Sequence, residues 1–118
     1  MATFPLRKAT TGKFIRTITG DSFSRAIEAE VRAGRSLSGA DLSDVGKYGD
    51  PSMLNLAGAT LTNVKLDGAN LTGAILTGAN LSNASAKGAT LNQVNAKAVT
   101  TTGLVKTGSS QKELRGNF

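Results

Sequence analysis

Residues able to do acid–base or nucleophilic chemistry near neutral pH are scarce in this 118-residue chain. It has no histidine and no cysteine. The commonest general base, the commonest zinc ligand and any thiolate are therefore missing. Serines abound, but no imidazole exists to activate one. Lysine can in principle serve as a base, yet nothing singles one out. The four acids of the central region, Asp41, Asp44, Asp50 and Asp67, fall in turns or recurring repeat slots. Glycines recur at a fixed spacing and form no phosphate cradle ahead of a helix. The reading is no catalytic, cofactor-binding or metal-binding residue, and a protein that is not an enzyme.

Charge points instead to partners. The net charge is +6, with seven Lys/Arg against three acids in residues 1–35, four against four in 36–104, and three against one in 105–118. A neutral centre thus carries two basic ends. Arg7, Lys8, Lys13 and Arg16 are the candidate nucleic-acid contacts, although no stacking aromatics are interleaved with them. No apolar run is long enough for a membrane span, and no signal-peptide core opens the chain. The expected location is the cytoplasm or a virion, with neither membrane nor small-molecule substrate.

What must position these residues is a repeat. From Leu54 the chain reads LNLAG ATLTN VKLDG ANLTG AILTG ANLSN ASAKG ATLNQ VNAKA VTTTG, ten blocks without a slip. Leu56, Leu61, Leu66, Leu71, Leu76, Leu81 and Leu91 hold the central position and are the predicted core. A second apolar residue, usually alanine or valine, stands two places earlier. A period of five fits no α-helix, because leucines about 500° apart visit every face. Nor does it fit a plain strand, because odd spacing flips the side chain each time. The pattern survives only if the backbone turns a corner in every block, at the recurring Gly or Asn. In Val94-Asn95-Ala96 the large and small inward residues exchange places at similar volume.

These blocks resemble the pentapeptide-repeat family, A(D/N)LXX, over residues 54–104, with an outlying copy at Ala40-Asp41-Leu42-Ser43-Asp44. The resemblance implies an all-β fold, a short right-handed quadrilateral β-helix with four blocks per coil. Residues 54–104 would then make about two and a half coils with strands roughly 4.8 Å apart. Stacking each block on the fourth one after it puts Asp67 beside Lys87 as an expected ion pair.

Around this solenoid the sequence assigns a basic N-terminal arm (1–20), a capping helix (21–34), the β-helix itself (35–104) with a loop at 46–53, and a basic C-terminal tail (105–118). Asp21 or Ser22 starts the helix and Gly34 ends it. Phe23, Ile27 and Val31, four apart, make the stripe that covers the first coil, with a partner-facing helix as the alternative. Between Leu42 and Leu56 the count falls one short of three whole blocks, so the phase breaks once, in the loop that carries Tyr48. In the tail, Ser110 and Glu113 have capping-box spacing for one helical turn, and Leu114 and Phe118 are left to cover that end. The resemblance also permits homodimerisation there.

The candidate interface consists of Thr60, Thr62, Asn80, Ser82, Thr100 and Thr102 on one uncharged edge, Ile75 on its neighbour, and Tyr48 and Phe118. Short Ser, Thr and Asn side chains lose little entropy on docking. The function expected is a structural or adaptor protein, a rigid plug that binds other protein chains as a homo-oligomer or in a larger assembly. A phage-type cement, decoration or connector protein is the form considered. The alternatives are nucleic-acid binding through the basic arms and interaction with a type II topoisomerase, which the resemblance brings in. A short, neutral body and a positive net charge oppose DNA mimicry.

Overall fold

Backbone donors explain why a five-residue block suffices as a structural unit. In Ala79–Asn83, the Ala79 N–H closes the corner on the Leu76 carbonyl (2.9 Å), and Asn80 donates to Ala59 in the preceding turn (2.9 Å). Leu81 and Asn83 donate to Thr100 and Thr102 in the following turn, both at 2.8 Å. The remaining N–H, of Ser82, goes to the Asn80 side-chain oxygen at 3.0 Å. No donor in the block is stranded, which a buried backbone requires. Asn70, by the same geometry, takes the Thr72 N–H. The asparagine of the A-N-L block thus does local work as an Asx turn.

The computed structural model describes residues 2–47, 53–116 and 118. From Gly58 to Glu113 every fifth residue has positive φ. Between these corners each block pairs in parallel with the fourth block after it: Asn55 with Ile75, Thr60 with Asn80, Lys65 with Ser85, Asn70 with Thr90. One block per side and four blocks per turn make a four-sided coil. Leu56, Leu61, Leu66, Leu71, Leu76, Leu81 and Leu91 all point inward and are buried, as are their alanine and valine companions.

The phase break is a matter of register. Asp41 pairs with Lys65, where an unbroken run of four blocks would bring it to Leu61. Ile75 donates to Leu54 at the same offset as Asn80 to Ala59, whereas Asn70 reaches further back, to Val45. The four extra residues therefore lie between Val45 and Leu54. Gly46 begins this insertion at φ +77°, where a Cβ would sit 1.9 Å from the Asn70 carbonyl oxygen. Tyr48 lies outside the described residues.

Both ends differ from the sequence expectation. The N-terminal arm is an antiparallel hairpin, β1 (Ala2–Arg7) with β2 (Phe14–Gly20), broken by a bulge between Leu6 and Arg7. Leu6 and Ile18 are buried in the common core, so this segment is anchored. The helix α1 spans Phe23–Arg32, and the Ser22 hydroxyl accepts from the Arg25 N–H at 3.1 Å. Gly34, at φ +74°, follows the Ala33 C-cap.

At the other end the coil does not stop at Leu104. Val105 pairs with Ser85, Ser110 with Thr90, and Arg115–Gly116 with Asn95–Ala96. No helical turn forms at Ser110–Glu113, because Glu113 has φ +56° and turns a corner there. The apolar pattern fades while the coil persists. Thr101, Lys106 and Gln111 stand at the inward positions that hold Leu81, Ala86 and Leu91 one turn earlier. A further turn stacked on Lys106 would desolvate its ammonium, so polar inward residues suit the end of a stack.

Candidate interaction surfaces

The first turn has no preceding turn to accept its upward N–H groups, and the N-terminal elements supply acceptors. Asp41 N–H donates to the Arg7 carbonyl (2.8 Å), Gly46 N–H to the Ser24 hydroxyl (2.7 Å) and Asn55 N–H to Glu28 Oε2 (2.7 Å). Glu28 also receives Arg25 and Arg32, each at 3.2 Å. Burial by itself raises the pKa of Glu28. The Asn55 N–H, Arg25 and Arg32 together outweigh it and hold the carboxyl below the usual value.

Of the stripe residues, Ile27 is fully buried, while Phe23 and Val31 pack partly buried against the core. Phe23 meets Phe4 of the hairpin edge-to-face, with ring centroids 5.9 Å apart at 78°. The sequence had no means of placing Phe4 there, since the meeting depends on the hairpin.

The basic N-terminal residues divide into two groups. Arg16 is not a free contact: it binds Glu30 at 2.8 Å and donates to the Ser36 carbonyl. Arg35 also binds Glu30, at 2.7 Å. Arg7 donates to the Gly12 carbonyl, and Arg7, Lys8 and Lys13 take part in no ion pair among the described residues. The expected Asp67–Lys87 ion pair is replaced by a different contact. Asp67 Oδ1 accepts from the Ser85 hydroxyl (2.5 Å) and from the Lys87 backbone N–H (2.9 Å). Asn92 repeats the arrangement with Ser110 and Lys112.

On the outside, Thr60, Asn80 and Thr100 stack in one column and Thr62, Ser82 and Thr102 in the next. Asn80 and Ser82 are tied to each other, and Thr62 to Ser38. Ile75 belongs to the adjoining side and is 37% exposed. Beside it lies Met53, 71% exposed, which sequence reading missed. Both border a shallow groove with Gln93, Asn95, Glu113 and Arg115. Phe118 packs partly buried against the core, and the Lys106 ammonium donates to its main-chain oxygen. These candidates are therefore spread over two adjoining sides and one end.

Among the described residues no cluster of three or more His, Cys, Asp or Glu is placed to hold a metal, and no helix is long and apolar enough to cross a membrane.

The family model for pentapeptide repeats matches eight copies over residues 55–93. Two solved structures are similar. One is HetL, a pentapeptide repeat protein involved in heterocyst differentiation regulation from the cyanobacterium Nostoc sp. strain PCC 7120, 24% identical with a TM-score of 0.35. The other is Rfr23, a pentapeptide repeat protein from the cyanobacterium Cyanothece 51142, 33% identical with a TM-score of 0.31. The matches cover 54% and 56% of this chain but only 37% and 46% of those proteins. No curated protein sequence matches. Pentapeptide-repeat proteins fold as a β-helix, and residues 55–93 of this chain match that family's repeat model.

Proposed function

We propose that this protein is a non-catalytic structural adaptor, a rigid four-sided plug that makes protein–protein contacts through the side bearing Ile75 and the uncharged side next to it. In this reading α1 and the hairpin act as the N-terminal cap, supported by the three acceptors they supply to first-turn N–H groups. The carrying observation is the pair Met53 and Ile75, large apolar side chains exposed together where the Ile75 column otherwise presents Asn55, Asn95 and Arg115. Their adjacency is what favours this side as the docking side over the all-polar one next to it. The adaptor would work within a homo-oligomer or a larger assembly, with a cement, decoration or connector role in a phage-type particle as its specific form.

The test is Ile75→Asp. The side chain points outward, so the variant should fold with an unchanged circular dichroism spectrum and melting temperature. Size-exclusion with light scattering should show loss of the assembly that the parent forms. An assembly of unchanged mass removes this side as the docking surface.

A further inference from the structure

Where the hairpin, α1 and the first turn of the coil meet, they leave a groove of about 480 Å³. We propose that it receives an arginine side chain carried on a peptide segment of a partner protein. The site is separate from the Ile75 side and does not depend on it.

Charge is the first argument. On a chain of net +6, three of the eight acids, Asp21, Asp41 and Asp44, line this one groove. Against them stand Arg7 and Lys47, leaving 2 − 3 = −1. Lys47 is held by an acid and Arg7 by a carbonyl. Arg7 donates to the Gly12 carbonyl at 3.2 Å, and Lys47 stands 3.7 Å from Asp44. The two glutamates of α1 are taken up by arginines and Asp44 by Lys47, which leaves Asp21 and Asp41 in the groove with no ion pair among the described residues.

The lining selects among cations. Phe4 and Phe23, set edge-to-face, line the groove together with Pro5. The faces of aromatic rings carry partial negative charge and attract a flat guanidinium. Ser43 also lines the groove, with its hydroxyl oxygen turned away from solvent. Its backbone N–H is held by Asp41 Oδ1 at 3.0 Å, which fixes the residue in place. A guanidinium offers five N–H donors in a plane, enough for two carboxylates at once, whereas an ammonium stacks poorly and is more strongly hydrated. An apolar occupant would strip water from the carboxylates and give nothing back. Arg7, Asp21 and Asp44 are exposed at the rim, so the groove is open at its margin and a flanking peptide backbone can run across it.

The experiment titrates the full chain with a fluorescently labelled, end-blocked pentapeptide holding one central arginine between glycine and serine residues. The same peptide with citrulline, a neutral isostere, runs alongside it. The arginine peptide should bind, and the citrulline peptide about tenfold more weakly. Asp41→Asn combined with Asp44→Asn should cost a similar factor, since asparagine retains the oxygen that holds Ser43. Phe23→Leu, which keeps apolar volume but removes the ring, should weaken binding as well. Ile75→Asp should bind the peptide normally, which separates this site from the docking side. Equal binding of arginine and citrulline, no effect of the two asparagines, or no binding at all overturns the proposal. Free arginine amide binding as tightly as the peptide overturns the peptide as its source. If Phe23→Leu fails to fold, the asparagine pair still decides the matter.

Discussion

Ala98 shows how strictly the coil controls single residues. It occupies a corner at φ +58°, a conformation that only glycine adopts without cost. Asn63 and Asn83 occupy equivalent corners with less penalty, because asparagine tolerates the left-handed region. Alanine there costs about 1–2 kcal/mol, part of which glycine would return to the unfolded chain as entropy. Ala98→Gly should therefore raise stability by about 0.5–1 kcal/mol, read as a higher urea midpoint at an unchanged m-value. A lower midpoint would mean that the corner geometry is not what limits this position. The corners at Gly and Asn were legible in the sequence because those residues advertise turns. Gln93, Ala98 and Glu113 were not, since their side chains prefer other backbone regions and only the stacking of neighbouring turns holds them there. Asp67 makes a related point. Its stacking position one turn below Lys87 was counted correctly, but a backbone N–H and a serine hydroxyl, both already fixed by the coil, took its oxygen in place of a mobile lysine ammonium.

At the scale of the element, α1 depends on its charged face as much as on its apolar one. Ile27 buries the helix, and Glu28 fastens it to the coil through the Asn55 N–H. Because the Glu28 carboxyl is held below its usual pKa, the folded state favours the charged form. Its contribution is complete above the unfolded glutamate value and disappears as pH falls through the lower, folded value. Urea midpoints should accordingly decline on the acid side. Glu28→Gln should be less stable by about 1–2 kcal/mol near neutral pH and show a shallower acid decline. Parallel pH profiles for parent and variant would contradict this. The helix was readable from its Ser22 start, its Gly34 stop and its four-residue stripe. The hairpin was not, because neither face of Lys13–Thr19 alternates cleanly and its pairing with Ala2–Arg7 is decided by burial of Leu6 and Ile18 against the rest of the fold.

At the scale of the whole molecule, the +6 charge is less available than the composition suggests. Arg16, Arg25, Arg32 and Arg35 are bound to Glu28 and Glu30. That leaves Arg7, Lys8 and Lys13 as the hairpin's cations with no ion pair among the described residues, too few by themselves to hold a phosphate backbone against salt. Any shift of duplex DNA on a gel at low salt should vanish by about 150 mM and should be lost when these three become glutamine. A complex that persists at that salt would put nucleic acid ahead of protein as the partner.

The strict period of five, with leucine at its centre, was enough to demand a corner in every block and a buried leucine column. No other backbone keeps residues at that spacing on one side, so local sequence and global fold demand the same thing. The four sides came only from the family resemblance and are seen in the pairing of each block with the fourth one after it. How the coil begins and ends was left to tertiary structure. The hairpin, the acceptors delivered to first-turn N–H groups, the four extra residues before Leu54 and the continuation to Gly116 depend on backbone donors far apart in the chain finding partners. Composition cannot report that, because the same N–H is present in every residue but proline, and only its neighbours in space decide where it goes.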